Sequence, residues 1–247
     1  MRVALLVGLL MVPFLGAQTV DNLILQSEDF PPYNFTEGGE LRGTSIEILA
    51  EVLTALHSRL TVGDVKVLPW ARSYRELLET PNTVLFAMTR TADRETLFKW
   101  AGPITSAKNV LIGRNNATFA VTSVAQAAGY RVGVIRDDAG EQLLLSKGFP
   151  AKDLQYAPGA INLLKMLLAD RVDFVAYDEN VLRWLWSHDP SLQAQGQLKT
   201  FVVLAAGSHY FGFNRRTPDS VVQQFQKALD DLKAKGTFAQ IVSGYLK

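Results

Sequence analysis

Short apolar strand segments and amphipathic helical segments alternate along this chain, and the alternation runs through the same order twice. In the first series Leu23–Gln26 reads as a strand, Asp29–Asn34 carries Pro31 and Pro32 and reads as a loop, and Ser45 can cap a helix. Ile46, Leu49, Val52, Leu53 and Leu56 recur at helical spacing. Val65–Leu68, a short helix over Tyr74–Leu78 and the strand Val84–Met88 complete it. The second series runs through the strand Arg131–Ile135, a helix from Gly140 to Ser146, Leu154–Tyr156, a helix over Ala160–Ala169, the strand Val172–Tyr177 and a helix over Glu179–Ser187. Strand–helix–strand order calls for parallel, doubly wound sheets, so the expected fold is α/β with two lobes.

Between and after these series the rhythm changes. Leu97–Gly113 breaks it with Trp100-Ala101-Gly102-Pro103 and then an extended Asn109–Ile112, Leu198–Leu204 and His209–Phe213 are further strands, and Pro218–Lys235 and Phe238–Leu246 are helical. Gly236 stands where a helix should stop. A chain crossing near Ala107–Leu111 and returning near Ala205–Tyr210 joins its lobes by two extended strands, a natural hinge. The expected division is residues 18–108 with 208–247 in one lobe and 109–207 in the other.

Two strand ends carry the chemistry. Thr83–Met88 runs into Thr89–Arg94, and Val172–Tyr177 runs into Asp178. In open α/β sheets ligands sit beyond the C-terminal ends of strands. A fixed cation from one series and a fixed anion from the other suit a small zwitterion between them.

The formal charge of +1 over 247 residues, with no basic run, gives no footprint for a nucleic-acid backbone, and Arg215-Arg216 reads as a solvated turn. The absence of cysteine excludes thiol catalysis and Cys-ligated metal, and no His cluster has metal-ligand spacing. No cofactor is expected. Met1-Arg2, the apolar run Val3–Leu15 and the small pair Gly16-Ala17 have the layout of an export signal, with cleavage expected after Ala17. That run is shorter than the roughly 20 residues of a spanning helix. Residues 1–17 are therefore read as a signal peptide and the remainder as a free periplasmic protein, expected to be monomeric.

Several blocks, in order, resemble one family. They are Phe30-Pro31-Pro32-Tyr33, Gly43–Leu49, Ala87–Arg94 ahead of Phe98–Ile104, Arg131-Val132-Gly133-Val134 and Lys235-Gly236-Thr237. Together they are similar to the periplasmic solute-binding proteins of polar amino-acid ABC importers, extracellular solute-binding family 3, with the type II periplasmic-binding fold. The resemblance covers Ile24 to Leu246. It implies a small-molecule ligand held between two lobes and delivered to an inner-membrane ABC permease.

It also implies roles. Arg94 matches the arginine that binds the ligand carboxylate, a task for which a planar, permanently charged fork is suited; the alternative is a surface Arg paired with Asp93 or Glu95. Thr89 and Ala87 match the rest of the carboxylate cradle, although the Thr89 hydroxyl can also cap the following turn. Asp178 matches the acid that takes the ligand ammonium, and it equally has the look of a helix N-cap. Phe30, Tyr33 and Trp70 stand where aromatic walls are expected, with core packing as the plain alternative. One departure stands out at Arg136-Asp137-Asp138-Ala139-Gly140, where the family has Gly and hydroxyl residues that donate to a carboxylate. Either Asp137 and Asp138 cap the helix and face water, or Asp138 joins a pocket for a more cationic or atypical ligand.

Two other functions share this pattern. A periplasmic enzyme similar to cyclohexadienyl dehydratase needs a general acid in the cleft, for which Asp178, Asp138 and Glu28 are the candidates. A sensor would relay occupancy to a signalling partner rather than to a permease. His57, His188 and His209 look scattered and are read as ordinary surface or core histidines.

Overall fold

The computed structural model describes Thr19–Tyr245, so the export-signal segment 1–17 lies outside the described residues. Ten strands are present there: β1 (Ile24–Ser27), β2 (Phe35–Glu37), β3 (Glu40–Arg42), β4 (Lys66–Val67), β5 (Thr83–Thr89), β6 (Phe98–Arg114), β7 (Val132–Val134), β8 (Leu154–Tyr156), β9 (Phe174–Asp178) and β10 (Leu198–Asn214). The helices are α1 (Thr44–Ala55), α2 (Trp70–Glu79), α3 (Ala139–Ser146), α4 (Ala160–Leu168), α5 (Glu179–His188), α6 (Pro190–Gln193), α7 (Asp219–Ala234) and α8 (Thr237–Tyr245).

The architecture is two doubly wound α/β lobes on one hydrogen-bonded ladder, in the order β4-β1-β5-β10-β6-β9-β7-β8. The outer pairings are parallel, as the strand–helix order requires. The central pairings are antiparallel: β10 runs against both β5 and β6, and β6 runs against β9. These two strands are continuous and pair along their whole length, from Phe98 with Asn214 to Arg114 with Leu198. The sequence suggests a split in β10 at Ala205–Ser208; in the fold that stretch pairs residue for residue with Ser106–Asn109, and the bulges lie on either side of it without ending the strand. β5 lies beside β10 at its C-terminal half, and β9 beside β6 at its C-terminal half. The hinge is thus the stretch of two strands between those neighbours.

Core burial follows the periodicity. On α1 the buried Ile46, Leu49, Val52 and Leu53 form one stripe, packed with Phe211, Phe213 and Phe225. A fully buried aliphatic or aromatic side chain contributes roughly 1.5–3 kcal/mol, so that cluster holds much of one lobe's stability. A second cluster around Phe174, Val132 and Leu144 serves the other lobe. A third runs from Phe30 and Trp70 to Tyr177 and Val181, and so crosses from one lobe to the other. A core that spans the cleft means the lobes are closed on each other.

Helix α1 starts one residue before the expected cap. Its N-cap is Gly43, at φ +116, where a Cβ would sit 2.4 Å from the Tyr33 carbonyl oxygen. Only glycine allows that approach. The gain is that Thr44 and Ser45 donate their backbone N–H groups to Pro32 O at 3.1 Å and Tyr33 O at 2.8 Å. Two donors that a helix start leaves unpaired are thereby satisfied, and the Phe30–Asn34 loop is pinned to the helix.

Candidate functional site

A small cavity of about 10 Å³, room for about one water in this closed form, lies where the lobes meet, lined by Glu28, Phe30, Trp70, Ala87, Thr89, Arg94, Asn109, Asp138, Tyr177 and Asp178. Seven of the eight residues expected at a site line it together; the eighth, Tyr33, stands behind Phe30 with ring centroids 5.2 Å apart. Glu28, weighed from sequence only as a general acid, is there too, while Asn109 and Tyr177 were not anticipated.

Each side chain is delivered by a backbone feature. At the end of β5, Phe86 and Ala87 face the single residue Phe211 of β10, and Ala87 has φ +57. A bulge of this kind re-aims the strand at its rim, and a non-glycine residue in that region stores about 1 kcal/mol or more of strain. Beyond it Arg94 turns back beneath Thr89. Its guanidinium is 1% exposed and donates from Nη1 to Thr89 O at 3.1 Å, from Nη2 to Asp137 O at 2.9 Å and from Nε to Gln142 Oε1 at 2.9 Å. It also lies 5.1 Å from the Trp70 ring centroid and 5.2 Å from that of Tyr74. A surface pairing of Arg94 with Asp93 or Glu95 is excluded by this burial; Glu95 instead pairs with Arg90.

Asp178 caps a helix and lines the cavity at once. Its Oδ1 accepts from Asn180 N at 3.0 Å and Val181 N at 3.2 Å, capping α5, and its Oδ2 accepts from Lys108 N at 3.2 Å. It also faces the cavity. Burial raises its carboxyl to about 7 despite those three donors. His209 Nε2 stands 3.7 Å from Asp178 Oδ2, but burial pushes this imidazole down to about 3, so the contact is not an ion pair at neutral pH. His209 is a core residue, between Phe30, Tyr33 and a Thr105 hydroxyl at 2.9 Å.

Of the two readings open for Asp138, burial excludes the one in which it faces water. It caps α3, its Oδ2 accepting from Gly140 N at 2.9 Å, yet it is buried and opens onto the cavity. The reason is the close seating of α3 on β9: a Cβ on Gly140 would lie 2.2 Å from Ala176 O. Burial raises the Asp138 carboxyl, with Arg94 opposing. Burial also raises Glu28, helped by repulsion from Asp138 and Asp29. Three buried polar groups on the wall, Trp70 Nε1, Asn109 Nδ2 and the Tyr177 hydroxyl, have no hydrogen-bond partner. Arrangements of this kind bind a polar solute, since unpaired buried donors and acceptors are costly until something fills them. No cluster of metal-ligating side chains occurs among the described residues.

Outside the cavity the lobes touch again at its mouth. Asn180 Nδ2 donates to the Tyr33 hydroxyl at 2.9 Å, and the Trp184 ring of α5 packs on Phe35 at 5.1 Å. No described helix is long and apolar enough to cross a membrane.

The family model for bacterial extracellular solute-binding proteins, family 3, matches residues 23–247. No curated protein matches the sequence. Among solved structures, a histidine kinase sensor domain with similarity to periplasmic binding proteins superposes with a TM-score of 0.80 at 18% identity, covering 92% of this chain and 97% of its own. An ancestral arginine-binding protein bound to arginine gives 0.77 at 20%, with 91% and 98% covered. The arginine-, lysine-, histidine-binding protein ArtJ of Geobacillus stearothermophilus gives 0.75 at 17%, with 91% and 95% covered. At such identities the likeness is one of fold.

Proposed function

We propose that this chain, which belongs to the bacterial extracellular solute-binding proteins of family 3, captures a small polar amino acid or related amine between its lobes and delivers it to an ABC permease. The observation that carries this reading is the enclosed cavity to which both lobes contribute charged groups, Arg94 and Glu28 from one, Asp138 and Asp178 from the other. A ligand that touches both lobes binds the closed state better than the open one, and that difference is what drives closure. Arg94 keeps one N–H on each terminal nitrogen for a carboxylate, and Asp178 faces an ammonium.

In this reading residues 1–17 are an export signal, the mature protein works as a monomer in the periplasm, and the lobes comprise 18–108 with 208–247 and 109–207. The ligand is released unchanged. A thermal-shift screen of the mature chain against amino acids, amines and small organic acids tests it, because a ligand of the native state raises the melting temperature. Arg94→Ala and Asp178→Ala should each abolish the shift of the best hit; unchanged affinity in both would reject the site, and turnover of prephenate would replace binding by catalysis.

The sensor-domain superposition supports a second reading, in which the closed form is read by a signalling partner. Ligand uptake by cells that lack the chain separates the two: loss of uptake supports delivery, and intact uptake with a lost transcriptional response supports sensing.

A further inference from the structure

The cavity wall carries more carboxyl groups than a zwitterion can use. Glu28, Asp138 and Asp178 face it against the single base Arg94. A neutral zwitterion would pair its carboxylate with Arg94 and its ammonium with Asp178, which leaves Glu28 and Asp138 unmatched. Asp138 accepts from the backbone N–H of Gly140 at 2.9 Å, with the Ala139 N–H beside it, and Glu28 has the Tyr177 hydroxyl as its neighbouring donor.

The same wall also holds donors without acceptors. Trp70 Nε1 and Asn109 Nδ2 are buried and unpartnered. Neither group can accept a proton in return, so each calls for an oxygen or nitrogen lone pair on the occupant. An occupant with acceptors alone would leave the two carboxyls facing it, and one with cations alone would leave these donors empty.

Resting on the binding reading above, we infer that the ligand is a basic zwitterion of net positive charge, with Glu28 and Asp138 as the specificity-determining residues that face its second cation. In the empty closed form these carboxyls cannot both ionise. Glu28 has Asp29 on its own loop, Asp138 ahead of α3, Tyr177 on β9 and Arg94 about it, and Asp138 has Arg94 and Glu141. Burial raises both carboxyls, and their mutual repulsion adds to the rise in Glu28. A cationic group arriving there takes the place of a proton: one positive charge enters and one proton leaves to solvent.

Calorimetric titration of the mature chain tests this with charge-matched pairs, arginine against citrulline and lysine against norleucine, with glutamate as the acidic probe. The basic member of each pair should bind about a hundredfold tighter. Titrations in buffers of different ionisation enthalpy should show proton release on binding, and affinity should rise from pH 5.5 to 7.5. Glu28→Gln and Asp138→Asn, each verified as folded by its melting curve, should erase the preference for the basic member of each pair. Equal or tighter binding of citrulline, norleucine or glutamate overturns the inference and leaves the binding site standing. If no probe binds, the site fails and this inference with it.

Discussion

The Asn180 side chain donates to the Tyr33 hydroxyl at 2.9 Å, and this bond ties the helix capped by Asp178 to the loop that presents Phe30. Tyr33 also donates to Ser106 O at 3.2 Å, on the strand pair between the lobes. Its ring stays packed without the hydroxyl, 4.6 Å from His209 and 5.2 Å from Phe30. Tyr33→Phe should therefore leave the fold intact and remove about 1 kcal/mol from closure. Stopped-flow release should quicken roughly fivefold with the association rate unchanged.

Trp184→Ala removes the ring that α5 lays on Phe35, 5.1 Å between centroids. An aromatic pair of this kind contributes about 0.5–1.5 kcal/mol beyond the area it buries. Small-angle scattering of the ligand-free variant should show a larger radius of gyration than the parent. Identical scattering in the two would remove this contact from closure.

Arg94→Lys keeps the charge and loses the fork. A single ammonium cannot reach Thr89 O, Asp137 O and Gln142 Oε1 at once, so acceptors from both lobes are left unpaired. Truncating a buried, hydrogen-bonded charge costs about 2–5 kcal/mol, so ligand affinity should drop by about a hundredfold or more. Affinity within a few-fold of the parent, read by calorimetry, would show that Arg94 shapes the loop only.

The pH profile of stability has a sign set by the buried acids. Asp178 is raised to about 7 by burial, so between its ordinary value and 7 the folded form holds a proton the unfolded chain has lost. Stability therefore declines as pH climbs through that window and levels off above it, by up to about 4 kcal/mol for this group alone. Glu28 is raised too and adds to the decline. Glu179, partly buried yet drawn down to about 2 by Lys108, Thr200 and Arg183, acts oppositely and only below its ordinary value. Urea midpoints of the ligand-free chain should fall from pH 5 to 7.5, and Asp178→Asn should flatten that slope.

Gly140→Ala and Gly244→Ala should move stability in opposite directions. The first puts a Cβ 2.2 Å from Ala176 O and forces α3 off β9, costing about 1–3 kcal/mol and displacing Asp138 from the cavity. The second, exposed on α8 with nothing within 4 Å, should stabilise by about 0.5–1 kcal/mol. Melting curves read both.

What sequence made legible, and what it hid, divide along a physical line. Arg94, Asp178 and Thr89 follow strands whose apolar runs are plain, so their place at a sheet's C-terminal edge could be reasoned. Asn109 and Tyr177 lie inside such runs, where the period of a buried strand does not say which residue faces a cleft. Asp138 stayed open between two readings for a different reason. An acid before a helix is ordinarily a solvated cap, and only the seating of Gly140 against Ala176 carries this one indoors. The β2–β3 hairpin left no usable signal, its strands being three residues each and mostly exposed. The split expected in β10 arose because a bulged strand and a broken one read alike in sequence.

Strand β5 is buried along its entire length, and one of its two neighbours, His209–Phe213 of β10, comes about 120 residues later in the chain. Until that segment has emerged, β5 offers an unpaired apolar edge to any strand nearby. The first lobe cannot be finished early in synthesis, however soon its opening strands and helices form. Its assembly waits for nearly the whole polypeptide, so that edge stays open to mispairing for most of the chain's synthesis.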